Sequence, residues 1–229
     1  MDLLDAALDL LLGATCHGCG RAGRSPCPAC RERLEPAPRL VERVPVALID
    51  SDIAMASGLR YARPVPGFVI AYKDREAWQL VRWLGPALLA GLRRLDPPPG
   101  ALLVPVPSSP KAVRARGFDH TLGLARWAGR RAGLPIRPLL HRVREAHDQV
   151  GLDAAARWAS QRGTMTARAD ARQSIVVLVD DVITTGSTCA EAARALGAAG
   201  CRVHGVAAVA DTPRRTHDAD THHTRGGDR

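Results

Sequence analysis

Two groups of residues in the 229-residue chain are spaced for chemistry. The first is Cys16-His17-Gly18-Cys19, followed after a short gap by Cys27-Pro28-Ala29-Cys30. The tight turn of a C-x-x-C knuckle brings two sulfurs to one side, so two knuckles can supply the four thiolates of a closed tetrahedral zinc site. Four sulfur ligands leave no position for water, which points to structural Zn²⁺ held by Cys16, Cys19, Cys27 and Cys30. His17 lies inside the first knuckle and is expected to be exposed rather than a fifth ligand. The competing reading, a pair of disulfides, is disfavoured in a reducing compartment. A redox-active C-x-x-C usually occurs once, beside a βαβ unit. Cys189 and Cys201 fall in other contexts and are expected to be reduced, unmetallated thiols.

The second group follows the apolar run Ser174-Ile175-Val176-Val177-Leu178-Val179. A buried strand there delivers Asp180 and Asp181 to the carboxyl end of a sheet, where open α/β folds bind ligands. Thr184-Thr185-Gly186-Ser187-Thr188 then forms a loop feeding a helix, and Thr188 with Glu191 matches a capping box, so the helix is expected to start at Thr188. Loop amides, the positive end of the helix dipole and four hydroxyls converge on one spot suited to a phosphate monoester. Gly186 lets the backbone come close. Carboxylates repel phosphate, so the two acids need another partner: the hydroxyls of a sugar carrying that phosphate, or a hydrated Mg²⁺. A nucleotide-triphosphate loop is excluded because its lysine is missing, and no G-x-G-x-x-G fingerprint occurs here. A plain turn without a ligand has no need of two acids, four hydroxylated residues and a glycine at one strand end.

The elements that position these groups follow from periodicity. Ala101 to Val104 reads as a short buried strand running into Pro105-Val106-Pro107-Ser108-Ser109-Pro110, and Cys201 to Ala210 as a strand after a helix that stops at Gly200. Strand, helix, strand in this order predicts a βαβ unit in a doubly wound, mostly parallel sheet. Apolar residues from Ala77 to Leu95 have helical spacing, with Pro86 expected to kink or restart the helix. Thr121 to Ala132 also reads as a helix. Lys73 is placed at a strand end. Leucines 3, 4, 8, 11 and 12 suggest an amphipathic helix docking on the protein itself. The expected organisation is an N-terminal helix and four-cysteine zinc module over 1–45, an α/β domain over 46–211 and a disordered tail over 212–229. Histidines 217, 222 and 223 in that tail are read as solvated.

Composition sets the limits. Hydrophobic residues make up 46% and aromatics 3%, so Leu, Val and Ala must fill most of the core. The formal net charge is +9. Nearly all of it lies between Lys111 and Arg144, where Lys111, Arg114, Arg116, Arg126, Arg130, Arg131, Arg137, Arg142 and Arg144 face only Asp119. Such a segment attracts phosphate-bearing partners. No apolar run is long enough to span a bilayer and the first residues do not read as a signal peptide, so a cytoplasmic location is expected.

The run Val179 to Thr188 resembles the phosphoribosyl-pyrophosphate signature of type I phosphoribosyltransferases. Together with the double C-x-x-C, Pro105-Val106-Pro107, Arg116-Gly117-Phe118, the Tyr61 and Lys73 stretch and Arg142…Gln149…Leu152…Arg157, it is similar to the ComF/GntX family. Two departures stand out. The family usually has Arg-Gly-Phe-Asn-Gln where this chain has Arg116-Gly117-Phe118-Asp119-His120, and Arg-x-x-Asn where it has Arg157-Trp158-Ala159-Ser160. Two amide side chains are thereby lost beside the expected pocket.

The resemblance implies a type I phosphoribosyltransferase fold that binds 5-phosphoribosyl 1-pyrophosphate with Mg²⁺ and an unidentified base. Asp180 and Asp181 would hold the ribose hydroxyls, and Thr184, Thr185, Gly186, Ser187 and Thr188 the 5′-phosphate. Lys73, Ser108, Ser109, Arg114 and Arg116, helped by Lys111, would face the pyrophosphate. Arg142, Gln149 and Arg157 would form a hood over the acceptor. The activity implied is transfer of phosphoribosyl to a nitrogenous acceptor with release of pyrophosphate. Two alternatives stand beside it: a non-catalytic sensor of the sugar pyrophosphate, and a competence accessory that contacts DNA or a DNA-uptake protein through the basic segment. Scarce aromatics argue against a base-stacking platform for single strands. The absence of an N-terminal nucleophilic cysteine argues against glutamine amidotransfer.

Overall fold

The computed structural model describes residues 14–41, 53–144, 159–168 and 172–212. The leucine-rich start, Gln149, Arg157 and the histidines of the C-terminal tail lie outside these residues. The elements in chain order are α1 (Pro28–Glu32), β1 (Arg39–Leu40), β2 (Ala54–Arg60), α2 (Val65–Asp74), α3 (Val81–Leu95), β3 (Leu102–Pro105), α4 (Pro110–Arg116) and α5 (His120–Ala132). They continue with β4 (Leu140–Arg142), β5 (Met165–Ala167), β6 (Ile175–Ile183), α6 (Ser187–Ala198) and β7 (Arg202–Asp211).

Five strands form one sheet in the order β1-β2-β7-β6-β3. Pairing is parallel throughout except at β1, which runs antiparallel to β2. The central strands are apolar on both faces, as a covered parallel sheet requires. Val177, Val179, Ala207 and Val209 point into a core shared with α2, α3 and α5. Val176, Leu178, Val206 and Ala208 point the other way, into a core closed by α6 and the β4–β5 hairpin. Strand periodicity thus divides one sequence run between two layers of helices. The result is the mostly parallel α/β sheet flanked by helices that the sequence predicts, with a cluster of four cysteines ahead of it.

Three expectations about elements are corrected. Pro86 does not restart its helix: α3 runs through it from Val81 to Leu95, and the irregular turn lies earlier, at Trp78–Leu80. Proline removes one backbone donor, but burial of Leu84, Leu88 and Leu92 on the same helix outweighs that loss. Lys73 occupies the last turn of α2, not a strand end. The strand carrying the two acids continues past them to Ile183, because Asp180, Val182 and Ile183 pair with Ala208, Ala210 and Asp211 of β7.

Candidate functional site

The carboxyl ends of β6 and β3 open into a cavity of about 720 Å³. Asp180 and Asp181 form its floor, Thr184 and Thr188 one side, and Ser108, Ser109, Arg116 and His120 the facing side. Lys73, Tyr61 and Ile70 border it from β2 and α2, and Arg142 and Gln161 also line it.

The loop between β6 and α6 is a local construction. Gly186 adopts a left-handed φ of 70° at the N-cap of α6, a conformation costly for any residue with a Cβ. Helix α6 therefore starts at Ser187, and no side chain caps it. Apart from a long 3.5 Å bond from the Ser187 amide to Thr185 Oγ1, its first amides are available to a ligand. Thr185 and Ser187 share a hydroxyl–hydroxyl hydrogen bond of 2.9 Å and brace the loop, while Thr184 and Thr188 reach the cavity wall. The expected capping box is absent, because Glu191 turns inward. It is fully buried, accepts from the Met165 amide at 3.0 Å and pairs with Arg194 at 2.7 Å. Arg194 also donates to the Met165 carbonyl, so the pair ties the β4–β5 hairpin to α6.

The two acids sit in different electrostatic surroundings. Burial and the neighbouring charge of Asp181 push the Asp180 carboxyl up to about 8. Its Oδ1 accepts from the Asp181 amide at 2.8 Å, and the Cys189 thiol lies 3.6 Å from its Oδ2. Burial acts to raise Asp181 as well. It is overcome by the hydrogen bond from His120, the charge of Lys73 and the Val182 amide, which together hold this carboxyl well below the usual range. His120 Nε2 lies 3.1 Å from Asp181 Oδ2 and Lys73 Nζ lies 3.8 Å from it. The site thus pairs one readily ionised acid with one that retains its proton near neutrality.

The wall facing the acids draws on residues far apart in the chain. Ser109 caps α4 by accepting from the Ala112 amide at 3.2 Å. Arg116 donates to the Lys73 carbonyl at 3.2 Å and pairs with Asp74 at 3.5 Å, which fixes its guanidinium at the cavity edge. Arg142 donates to the Pro107 carbonyl at 3.0 Å, tying the hairpin to the β3–α4 loop. Arg114 and Lys111 are exposed and lie outside the cavity wall. Gln161 joins the site without having been expected there from the sequence, and His120, which the sequence put beside the pocket, joins it without an assigned role. The one sign of His120 is its unusual position after Arg116-Gly117-Phe118, and Asp119 beside it caps α5 through the Leu122 amide at 3.1 Å. Gln161 has no motif signal, yet its Oε1 is buried beside the cavity and, among the described residues, without a hydrogen-bond partner.

The four knuckle sulfurs all lie within 4.8 Å of one another. Cys19 Sγ and Cys27 Sγ are 3.7 Å apart, close to the edge of about 3.8 Å expected for four sulfurs at ~2.3 Å from one zinc. Burial acts to raise the Cys16 thiol, but amides of Cys27, Gly18 and Cys19 outweigh it and lower it, while burial and the neighbouring sulfurs raise the Cys30 thiol, so the cluster shares protons that a bound metal displaces. The donor set therefore fits structural zinc. His17 is half-buried, with Nδ1 2.6 Å from Ser25 Oγ, and stands outside the sulfur cluster. The knuckles pack on α2 rather than hanging free: Cys16, Cys27 and Cys30 share a core with Val65, Phe68 and Val69. A Cβ on Gly67 would collide with the His17 carbonyl, so that close approach depends on glycine.

A family model described as "Phosphoribosyl transferase domain" matches residues 137–228. The match spans the β4–β5 hairpin, Asp180, Asp181, the Gly186 loop and β7, so the chain is phosphoribosyltransferase-like over that stretch. No curated protein matches the chain. Among the described residues, no helix is long and apolar enough to cross a membrane.

Proposed function

We propose that the chain binds 5-phosphoribosyl 1-pyrophosphate with Mg²⁺ and transfers its phosphoribosyl group to a nitrogenous acceptor, releasing pyrophosphate. One observation carries this reading: two electrostatically distinct acids and an uncapped, glycine-turned helix start share a cavity with Ser108, Lys73 and Arg116. A sugar with phosphate at one end and pyrophosphate at the other spans such a cavity. Thr184, Thr188 and the first amides of α6 hold the 5′-phosphate. Asp180 and Asp181 take the ribose hydroxyls, and Ser108, Ser109, Arg116 and Lys73 face the pyrophosphate. The acids and the oxygen-rich ligand fit hydrated Mg²⁺, which when bound neutralises charge on the leaving pyrophosphate. Displacement at the anomeric carbon leaves positive character on the sugar, and the Asp181 carboxylate stabilises it from below. Gln161, with its unpartnered Oε1, is the described side chain best suited to an N–H of the acceptor.

The test is release of pyrophosphate from the full chain with Mg²⁺ and a panel of purine, pyrimidine and pyridine bases. Activity with one base, abolished by Asp180→Ala plus Asp181→Ala, is the expected result. Binding of the sugar pyrophosphate without release under any base would leave a sensor of the ComF/GntX type. A second reading rests on exposed Lys111, Arg114, Arg126, Arg130 and Arg131 along α4 and α5. These suit the phosphates of DNA, as a competence protein would need. Steeply salt-dependent DNA binding that survives loss of both acids would support it.

A further inference from the structure

His120 is a buried side chain between two elements that otherwise touch different parts of one ligand. Its backbone is set from both sides: Asp119 caps the helix that His120 begins, and Tyr72 donates to the His120 carbonyl at 3.1 Å. The ring, 4% exposed, then extends into the cavity. On one edge, Nε2 lies 3.1 Å from Asp181 Oδ2. On the other, Nδ1 lies 3.1 Å from Ser108 Oγ and 3.4 Å from Arg116 Nη1.

Partner chemistry orients the ring. Asp181, held ionised, only accepts, so Nε2 carries the hydrogen toward it; Ser108 and Arg116 can both donate, so Nδ1 accepts. A rigid five-membered ring holds these two contacts at fixed separation, which a flexible side chain does not. Ser108 belongs to the loop after β3 and Asp181 to β6, and no hydrogen bond between their side chains is present among the described residues.

We propose that His120 is a positioning residue that sets the distance between the pyrophosphate-facing loop and the ribose-facing acid. This inference rests on the sugar-pyrophosphate reading above. A ligand engaging both sides gains from having them prearranged, whereas a ligand engaging one side does not. The same imidazole keeps Asp181 aligned through its Nε2 contact.

Calorimetry on the full, zinc-loaded chain separates the possibilities, using Mg²⁺ with 5-phosphoribosyl 1-pyrophosphate, Mg²⁺ with pyrophosphate alone, and ribose 5-phosphate alone. His120→Phe should weaken the whole ligand by about twentyfold or more, and each half ligand by no more than about threefold. The loss on the whole then exceeds the product of the losses on the halves, which general destabilisation does not produce. Ser108→Ala should weaken the wild type by about fivefold and His120→Phe by only about twofold more, the remainder being the direct contact of Ser108 with pyrophosphate once the bridge is gone. His120→Gln, which restores a donor to Asp181, should recover part of the affinity. If His120→Phe melts too early to study, Ser108→Ala should still cost less in His120→Gln than in wild type. Whole-ligand binding by His120→Phe within about twofold of wild type, or equal effects of Ser108→Ala in both backgrounds, overturns the bridge alone. No heat from wild type with the whole ligand removes the parent reading and the bridge with it.

Discussion

The two sides of the cavity are built in opposite ways. The side proposed for the phosphate is one continuous stretch, Thr184 to Thr188, whose shape comes from a left-handed glycine and an uncapped helix start. The side facing the acids is assembled from α2, the β3–α4 loop, α5 and the β4–β5 hairpin, and it holds together through contacts such as Arg116 to Lys73 and Arg142 to Pro107. A local site should survive damage elsewhere in the fold. An assembled site should fail whenever one of its supports moves, even if no ligand-facing residue changes.

Removing zinc should expose this difference most strongly, because the knuckles are packed on the helix whose last turn carries Lys73. About one zinc per full chain is expected, and a strong chelator should lower the melting temperature by more than about 10 °C. At temperatures where the zinc-free protein remains folded, affinity for Mg²⁺-pyrophosphate should fall further than affinity for ribose 5-phosphate. Equal losses would erase the distinction between the two sides.

Glu191 sharpens the comparison, since it lies on the local side and supports the assembled one. Glu191→Ala leaves the Met165 amide without its acceptor and leaves Arg194 only its bond to the Met165 carbonyl. Denaturant unfolding should register a loss of about 3 kcal/mol. Arg194→Ala, at a partly exposed partner, should leave buried Glu191 unpaired and also destabilise measurably. A neutral result for Glu191→Ala would show that the hairpin is held by its apolar contacts alone.

Gly186→Val strikes only the local side. A β-branched residue at φ 70° costs about 1–2 kcal/mol and reshapes the loop. Ribose 5-phosphate should bind about tenfold more weakly, with Mg²⁺-pyrophosphate unchanged to within about twofold. Parallel losses for both ligands would mean that the loop also sets the far wall.

The same contrast governs what can be read in the sequence. The loop Thr184 to Thr188 is legible as a turn into a helix because everything that shapes it lies within a few residues, as are the cysteine knuckles. The strands Leu102–Pro105 and Arg202–Asp211 are legible from continuous apolar runs. Strand β2, Ala-Met-Ala-Ser-Gly-Leu-Arg, carries neither alternation nor a long apolar run and becomes a strand by lying between β1 and β7. The capping box fails because Glu191 finds stronger partners in Arg194 and Met165 than at the helix start. His120 has no role that the sequence can assign, because its partners, Ser108 and Asp181, come from separate strands' ends, a relation that spacing along the chain does not encode.

Asp180 provides the smallest and most specific test, since it belongs to the local strand but owes its proton to the assembled surroundings. Burial and Asp181 hold its carboxyl up to about 8 in the folded protein, against about 4 for an aspartate in an unfolded chain. Between those values the folded state keeps a proton that the unfolded state has released. The stability this contributes is complete below about pH 4 and is lost as the pH rises toward 8. Asp181 behaves oppositely: its depressed carboxyl contributes stability above about pH 4 that is lost only on further acidification, so it leaves the neutral range flat. In magnesium-free buffer, the melting temperature should therefore fall from about pH 5 to about pH 8.5 in wild type and fall less in Asp180→Asn. The variant should gain on the order of 2 kcal/mol over wild type at the alkaline end. Parallel pH profiles for the two proteins would show that Asp180 ionises normally, and that the floor of the cavity carries two equivalent carboxylates instead of an unequal pair.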